Sequence, residues 1–203
     1  MPRRAVSIVL FDGFELLDVF GPVELLSVLP DDFDITFLGP TAGPIASSQG
    51  VTVNATHPYD HAAAADIMLI PGGIGTRSLV SDNDFLDWLR EYAVQCRLVT
   101  SVCTGSAVLA AAGLLDGYRA TSNKLAFRWA QEHGSTVNWL PRARWVQDRD
   151  RWTSSGVAAG MDMTVALIGS LCGAETAQRA ADLIELEVQT DPTDDRFADL
   201  HGL

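Results

Sequence analysis

A doubly wound α/β domain, with a mostly parallel sheet and helices on both faces, is the fold this sequence predicts. Three observations carry that prediction. Short apolar runs alternate with helical patterns along the chain, which is how βαβ units are written in sequence. The runs are β-branched and hydrophobic almost throughout, as strands covered on both faces must be. The length, 203 residues, suits one α/β domain with a substantial core. A composition of 47% hydrophobic and 20% charged residues does not point to disorder.

Taken in order, the strands fall at residues 5–10, 34–38, 66–70 and 97–102, with weaker candidates at 144–148 and 151–154 around a turn at Arg149-Asp150. Residues 43–56 carry Gly43-Pro44 and Ser48-Gln49-Gly50 between short alternating stretches, and they read as a hairpin excursion. Helices fit 22–29, 82–95, 104–112, 124–133, 159–172 and 175–188. Ser81-Asp82 supplies capping residues, Gly113 stops the helix that starts at 104, and Gly173 separates the last two. No repeat, linker or low-complexity tract interrupts the chain, so residues 1–203 form a single domain. The polar run Asp191-Pro192-Thr193-Asp194-Asp195 reads as loose or docked on a partner.

Composition excludes several classes of function. The net charge of −12 gives no drive to gather phosphates, which argues against nucleic-acid binding. Arg3-Arg4 is the one basic run, and it reads as solvated. No segment approaches the roughly 18 apolar residues of a membrane span. The N-terminal apolar run is cut off by Phe11-Asp12-Gly13, which suits a buried strand better than a signal peptide. Cys96, Cys103 and Cys172 cannot all pair, and none has CxxC or Cys/His metal spacing. Reduced thiols in a cytoplasmic protein, with no metal site and no cofactor motif, are the simplest account.

The chemistry concentrates in three segments. In Leu98-Val99-Thr100-Ser101-Val102-Cys103-Thr104-Gly105-Ser106-Ala107 a buried strand runs into a small-residue helix with one cysteine at the junction. A nucleophile at such an elbow stands clear of the backbone, and the first amides of the helix favour a thiolate, lowering its pKa. Cys96 and Cys172, in mid-pattern positions, read as structural. Leu69-Ile70-Pro71-Gly72-Gly73-Ile74-Gly75 is a glycine-rich turn at the carboxyl end of a strand, where such loops line the ligand crevice. Its amides offer oxyanion-hole geometry, although the turn is neither a Walker A loop nor a dinucleotide fingerprint. Asp18, within Leu16-Leu17-Asp18-Val19-Phe20, is an acid in an apolar run, and it must find a partner or take an elevated pKa. It fits a general acid/base beside the thiol or a cap for the helix at 22, with Glu15 and Glu24 as alternatives. None of His57, His61, His133 and His201 adjoins Cys103 in sequence; all four read as surface residues, and the five tryptophans as core or pocket lining.

Together these segments resemble the ThiJ/PfpI superfamily, over most of the chain. The resemblance continues through Ala111-Ala112-Gly113-Leu114-Leu115-Asp116-Gly117-Tyr118-Arg119-Ala120-Thr121 and Ser155-Gly156-Val157-Ala158-Ala159-Gly160-Met161-Asp162. It implies the flavodoxin-like, class I glutamine amidotransferase-like fold. Protease-like members place histidine after the nucleophile, where this chain has Thr104; deglycase and glyoxalase members use glutamate where it has Asp18. Aspartate with Cys-Thr-Gly-Ser is similar to isocyanide (isonitrile) hydratase, which adds water to an isocyanide through a cysteine thioimidate and gives an N-substituted formamide. The resemblance implies Cys103 as nucleophile, Asp18 as acid/base and Thr104 as a substrate contact. Backbone amides at Gly72, Gly73 and Ile74 would polarise the intermediate, and Gly156 and Val157 would line the pocket. It also implies a small-molecule substrate, no cofactor and a homodimer. Where hydratases continue with Thr-His-Trp this chain has Ser122-Asn123-Lys124, so its substrate preference is expected to differ. The competing readings are a glyoxalase- or deglycase-like enzyme acting on reactive carbonyls, and a non-catalytic cysteine redox sensor. The sensor domain of certain transcription regulators shares the fold, but this chain shows no basic helical tail for a helix-turn-helix.

Overall fold

The structure, a computed structural model, describes residues 3–203. The chain runs β1 (Arg4–Val9), α1 (Leu16–Ser27), β2 (Phe33–Gly39), the hairpin β3 (Gly43–Ala46) and β4 (Thr52–Ala55), then β5 (His57–Pro58) and β6 (Ile67–Ile70). It continues through α2 (Thr76–Leu79), α3 (Asn83–Ala93), β7 (Leu98–Ser101) and α4 (Gly105–Ala111). Next come β8 (Arg119–Ala120), α5 (Phe127–Gln131), β9 (Asn138–Trp139), β10 (Trp145–Asp148) and β11 (Arg151–Ser154). The last elements are α6 (Ala159–Cys172), α7 (Ala174–Leu183) and α8 (Phe197–Leu200).

Seven strands form the central sheet in the order β10-β11-β7-β6-β1-β2-β5. Every pairing is parallel except β10 with β11. Helices cover both faces: α1, α6 and α7 pack on one another, and α2, α4 and α5 form a second group. All four residues of β6 are buried, as a central strand between two helical layers requires. Phe14, Leu25, Ile8, Met68, Leu109 and Phe127 are fully buried at the heart of the core. The chain builds outward from β1 to β2 and then returns to β6 on the other side of β1. That reversal opens a crevice beyond the carboxyl ends of β1 and β6, which is where ligands bind in such sheets.

Several boundaries differ from those the sequence predicts. The helix expected at 22 begins at Leu16, because Asp18, Val19, Gly21 and Pro22 all face the interior along with Leu25 and Leu26. Pro22 therefore sits inside the helix, where its missing N–H cannot serve the carbonyl of Asp18, and Asp18 is no cap but a first-turn residue. The helix expected over 124–133 shrinks to α5, since the Lys124 side chain turns inward to the carbonyls of Ser122 and Ala143. The helix expected to reach 188 ends at Leu183, just before Glu185 takes a positive φ of 54°. The two-residue strands and four-residue helices are invisible to periodicity because they hold about one period of pattern, with no repeat to detect. The polar run at 191–195 is tied to the chain's own residues 142–144: the Arg144 amide donates to the Pro192 carbonyl at 2.9 Å, and Asp195, only 1% exposed, donates its amide to the Arg142 carbonyl at 2.8 Å.

Candidate active site

The crevice gathers residues from the carboxyl ends of four strands. The first turn of α1, which follows β1, brings Asp18, the turn after β6 brings Gly72 and Gly73, β7 leads to Cys103, and β11 leads to Gly156 and Val157. Cys103 stands at the junction of β7 and α4 with φ at +58°. A non-glycine residue in this left-handed conformation costs on the order of 1–3 kcal/mol, and such strain marks a side chain that the fold has aimed. Its amide donates to the Ser155 carbonyl at 3.1 Å, which ties the elbow to the end of β11.

Three donors reach the Cys103 sulfur: the backbone N–H groups of Thr104 and Val157 and the side-chain amide of Asn123. Asn123 is fixed by its own Oδ1, which accepts from the Ala126 amide at 3.1 Å, so its NH2 end is left for sulfur. Gly156 permits this approach. A Cβ there would lie 2.4 Å from Asn123 Nδ2. Val157 has φ at +31°, a second strained non-glycine residue pointing its amide into the same spot.

Asp18 is completely buried. Its Oδ2 accepts the Gly72 amide at 2.8 Å, and the Cys103 thiol hydrogen-bonds the carboxylate. Oδ1 has no fully formed hydrogen bond, which leaves a buried carboxylate oxygen short of a partner and able to take a proton. Burial pushes the Asp18 pKa up to about 7, opposed by the Gly72 amide and reinforced by the charge of Glu15. Burial also raises the Cys103 thiol well above the ordinary range, the Asp18 charge adds to this, and the amides of Thr104 and Val157 only partly counter it. The thiolate expected from the helix N-terminus is thereby corrected. Desolvation and a neighbouring carboxylate outweigh a seven-residue helix and shift the sulfur toward its protonated form.

Thr104 is 5% exposed, and its Oγ1 accepts from the Gly73 amide and from Thr76 Oγ1, each at 3.1 Å. The Ile74 amide turns to Ser48 Oγ at 3.3 Å. The amides of Gly72, Gly73 and Ile74 are thus each engaged by a protein acceptor, and those aimed at sulfur are Thr104 and Val157. Gly72 has a different importance: a Cβ on it would sit 2.6 Å from the Thr104 nitrogen and 2.8 Å from Asp18 Oδ2. Only glycine lets Asp18, the β6 turn and the nucleophile's helix meet.

A cavity of about 270 Å3 is bordered by Asn123 and Val157, both donors to the sulfur, by Gly156 and, from the far end of the chain, by Phe197 and His201. Two larger cavities, of about 550 and 570 Å3, lie elsewhere and border none of the three donors to Cys103. Sequence reasoning missed Phe197 and His201, which no local pattern ties to residue 157. It also missed Arg77, whose guanidinium stacks on Trp129 at 3.2 Å and lies near enough for Cys103 to bear on its charge. His133 packs edge-on to Trp129. No histidine figures among the groups that act on the thiol. Among the described residues no His/Cys/Asp/Glu cluster has metal-binding geometry, and no helix is long and apolar enough to cross a membrane.

Comparison with known proteins fits this geometry. The profile of the DJ-1/PfpI family matches residues 4–170. The isonitrile hydratase of Pseudomonas putida is 36% identical over 189 residues, covering 92% of this chain and 78% of that protein. The transcriptional regulator GbdR of Pseudomonas aeruginosa, of the HTH type, is 30% identical across 91% of this chain, which spans only 51% of the regulator. Among solved structures, a ThiJ/PfpI family protein from Pseudomonas syringae superposes with a TM-score of 0.85 at 28% identity, over 93% of this chain and 77% of that one.

Proposed function

The chain belongs to the DJ-1/PfpI family, and from that premise we propose that it is an isocyanide hydratase-like enzyme working through Cys103 and Asp18. The observation that carries the reading is the meeting of the Cys103 thiol, at its strained elbow, with the fully buried Asp18 carboxyl group, while the Thr104 and Val157 amides also reach the sulfur. An isocyanide, R–N≡C, is uncharged and has a terminal carbon that accepts both a nucleophile and a proton. The Cys103 proton passes to Asp18 as sulfur bonds to that carbon. Asp18 then delivers the proton to the same carbon, giving the thioimidate R–N=CH–S. The carboxylate next takes a proton from water while the hydroxide adds to the thioimidate carbon, and the nitrogen receives that proton. Cleavage of the C–S bond returns the hydroxyl proton to sulfur by way of Asp18 and releases R–NH–CHO. One water is consumed and the pair ends as it began.

Thr104 and Val157 amides stabilise the sulfur as it loses its proton and again as it leaves. Thr104 Oγ1 accepts the Gly73 amide and so keeps the β6 turn against α4. The reading includes a homodimer in the cytoplasm, as the family resemblance implies, and sedimentation measures the oligomeric state directly. Formamide production from phenyl isocyanide, followed by chromatography and lost in Cys103→Ala, tests the reaction; turnover retained in that variant refutes it. A ligand-sensing module is the second reading, favoured by the match to GbdR, and it is chosen if isocyanides bind without being consumed.

A further inference from the structure

The cavity beside Cys103 has two walls of different origin. One belongs to the catalytic elbow: Asn123 and Val157 both donate to the sulfur, and Gly156 lies between the two. The other comes from Phe197 and His201, which lie beyond the 4–170 stretch that the family profile matches.

The segment that carries them is fastened with unusual care. Asp195 and Lys124 are 1% and 3% exposed, and both belong to a buried ionic cluster with Arg144 and Asp162. Arg144 pairs with Asp162 and, at 3.8 Å, with Asp195. The other Asp162 oxygen accepts the Gln189 amide at 2.9 Å, so both ends of the connection from α7 to α8 are tied to one cluster. Backbone bonds repeat the fastening. The Arg144 amide donates to the Pro192 carbonyl at 2.9 Å and the Asp195 amide to the Arg142 carbonyl at 2.8 Å. Asp195 Oδ1 also accepts the Phe197 amide at 3.1 Å, which sets the first turn of α8. On the outside, Arg142 holds Asp199 at 2.6 Å. Burying four charges is a poor way to gain stability, but it fixes one arrangement against its alternatives. What it fixes here is where Phe197 stands.

We propose that Phe197 and His201, carried by the C-terminal segment, complete the substrate pocket and set its size, forming the wall against which the organic substituent of the substrate packs. The pocket claim stands on this geometry, while the identity of the reacting group rests on the isocyanide hydratase reading. A cavity of about 270 Å3 lies below the roughly 300–1,000 Å3 of drug-sized ligand sites. Val157, Leu125 and Phe197 supply apolar walls and Asn123 the amide at the sulfur end, while Lys124, also on the border, spends its ammonium on Thr121, Ser122 and Ala143, so the cavity suits an uncharged molecule bearing a single ring better than a biaryl.

The test compares methyl, phenyl and biphenyl isocyanides in the full chain. Alongside it, the rates of Cys103 alkylation by iodoacetamide and by N-benzyl iodoacetamide are read by mass spectrometry. Wild type prefers phenyl to biphenyl, and in Phe197→Ala both the phenyl-to-methyl and the phenyl-to-biphenyl ratios of kcat/KM fall by about tenfold, the usual size of a pocket contact. Asp195→Asn, which loosens the fastening, moves the ratios the same way. Leu200→Ala, on the same short helix but 73% exposed and away from the cavity, leaves them unchanged. Equal effects on every substrate size, or the same shift in Leu200→Ala, overturns the proposal. If no isocyanide is hydrated, the reaction reading fails by itself and the alkylation series still decides: the benzyl-to-plain ratio falls in Phe197→Ala, or the wall does not exist.

Discussion

Replacing Asp18 by asparagine isolates what the buried carboxyl group costs the fold. Its pKa rises from 3.8 to about 7 on folding. A gap of about three units, at about 1.4 kcal/mol each, amounts to about 4 kcal/mol at most. The direction follows from which state releases its proton first. Below about pH 4 the group is protonated in both states and exacts nothing. Between about pH 4 and 7 the unfolded chain ionises while the folded one does not, so stability falls as pH rises. Above about pH 7 both forms are ionised and the whole deficit stands. Asparagine keeps the shape and still offers the Gly72 amide an oxygen, but it does not titrate. The stability of Asp18→Asn relative to wild type should therefore grow between pH 4 and pH 8, by up to about 4 kcal/mol. With a urea dependence of about 2–3 kcal/mol per molar, that is a midpoint shift of about 1–2 M. Urea titrations of both proteins at pH 4, 5, 6, 7 and 8 read it. A difference that stays flat, or shrinks as pH rises, refutes the claim that Asp18 is held by burial against its own ionisation.

Two further outcomes follow from the same site. The reacting form holds one proton between thiol and carboxylate, so kcat/KM for isocyanide hydration rises with pH through about 7, the value for Asp18, as a property of the coupled pair. No alkaline fall is expected within the ordinary thiol range, because the Cys103 pKa is raised above it; a profile that falls from pH 7 to 8 counts against the assignment. Gly72→Ala places a Cβ 2.7 Å from Thr104 Oγ1 and 2.8 Å from Asp18 Oδ2, costing about 1–3 kcal/mol in thermal or urea unfolding. Displacing both groups should also lower kcat/KM by about a hundredfold, and wild-type turnover in that variant would separate the turn from the chemistry.

Cys103 was legible because its signal is local: an apolar strand, a cysteine and a run of small residues occupy consecutive positions. Asp18 was legible for a related reason, since an acid inside Leu-Leu-Asp-Val-Phe contradicts its neighbours unless it is paired or protonated. The alternation of strands and helices likewise displayed the sheet. The ionisation of Cys103 was not legible. Sequence shows the amides that follow a nucleophile but neither the burial around it nor the carboxylate that the β1 turn swings against it. The β6 turn shows the same limit. Gly72, Gly73 and Ile74 were identified as backbone donors, but sequence could not show that Asp18, Thr104 and Ser48 would accept their hydrogen bonds. Phe197 and His201 were hidden for a third reason. Their place depends on Asp195 entering a buried ionic cluster, and a Pro/Asp/Thr-rich run has the composition of a surface tail.

The protonated resting thiol also bears on how the protein uses its cysteine. Oxidation to sulfenic and sulfinic acid proceeds from an exposed thiolate. Cys103 is 6% exposed and is shifted toward the thiol by burial and by Asp18, which is the opposite of a sensor's microenvironment. Yet two strained residues, at φ +58° and +31°, are held so that amide donors converge on that sulfur. Donors arranged around a group that carries no charge at rest contribute little in the ground state. In the proposed reaction their interaction grows when the sulfur gives up its proton to Asp18 and bonds to carbon, and again when it departs. Strain maintained around a sulfur of this kind fits that reaction better than a redox switch built on the same residue.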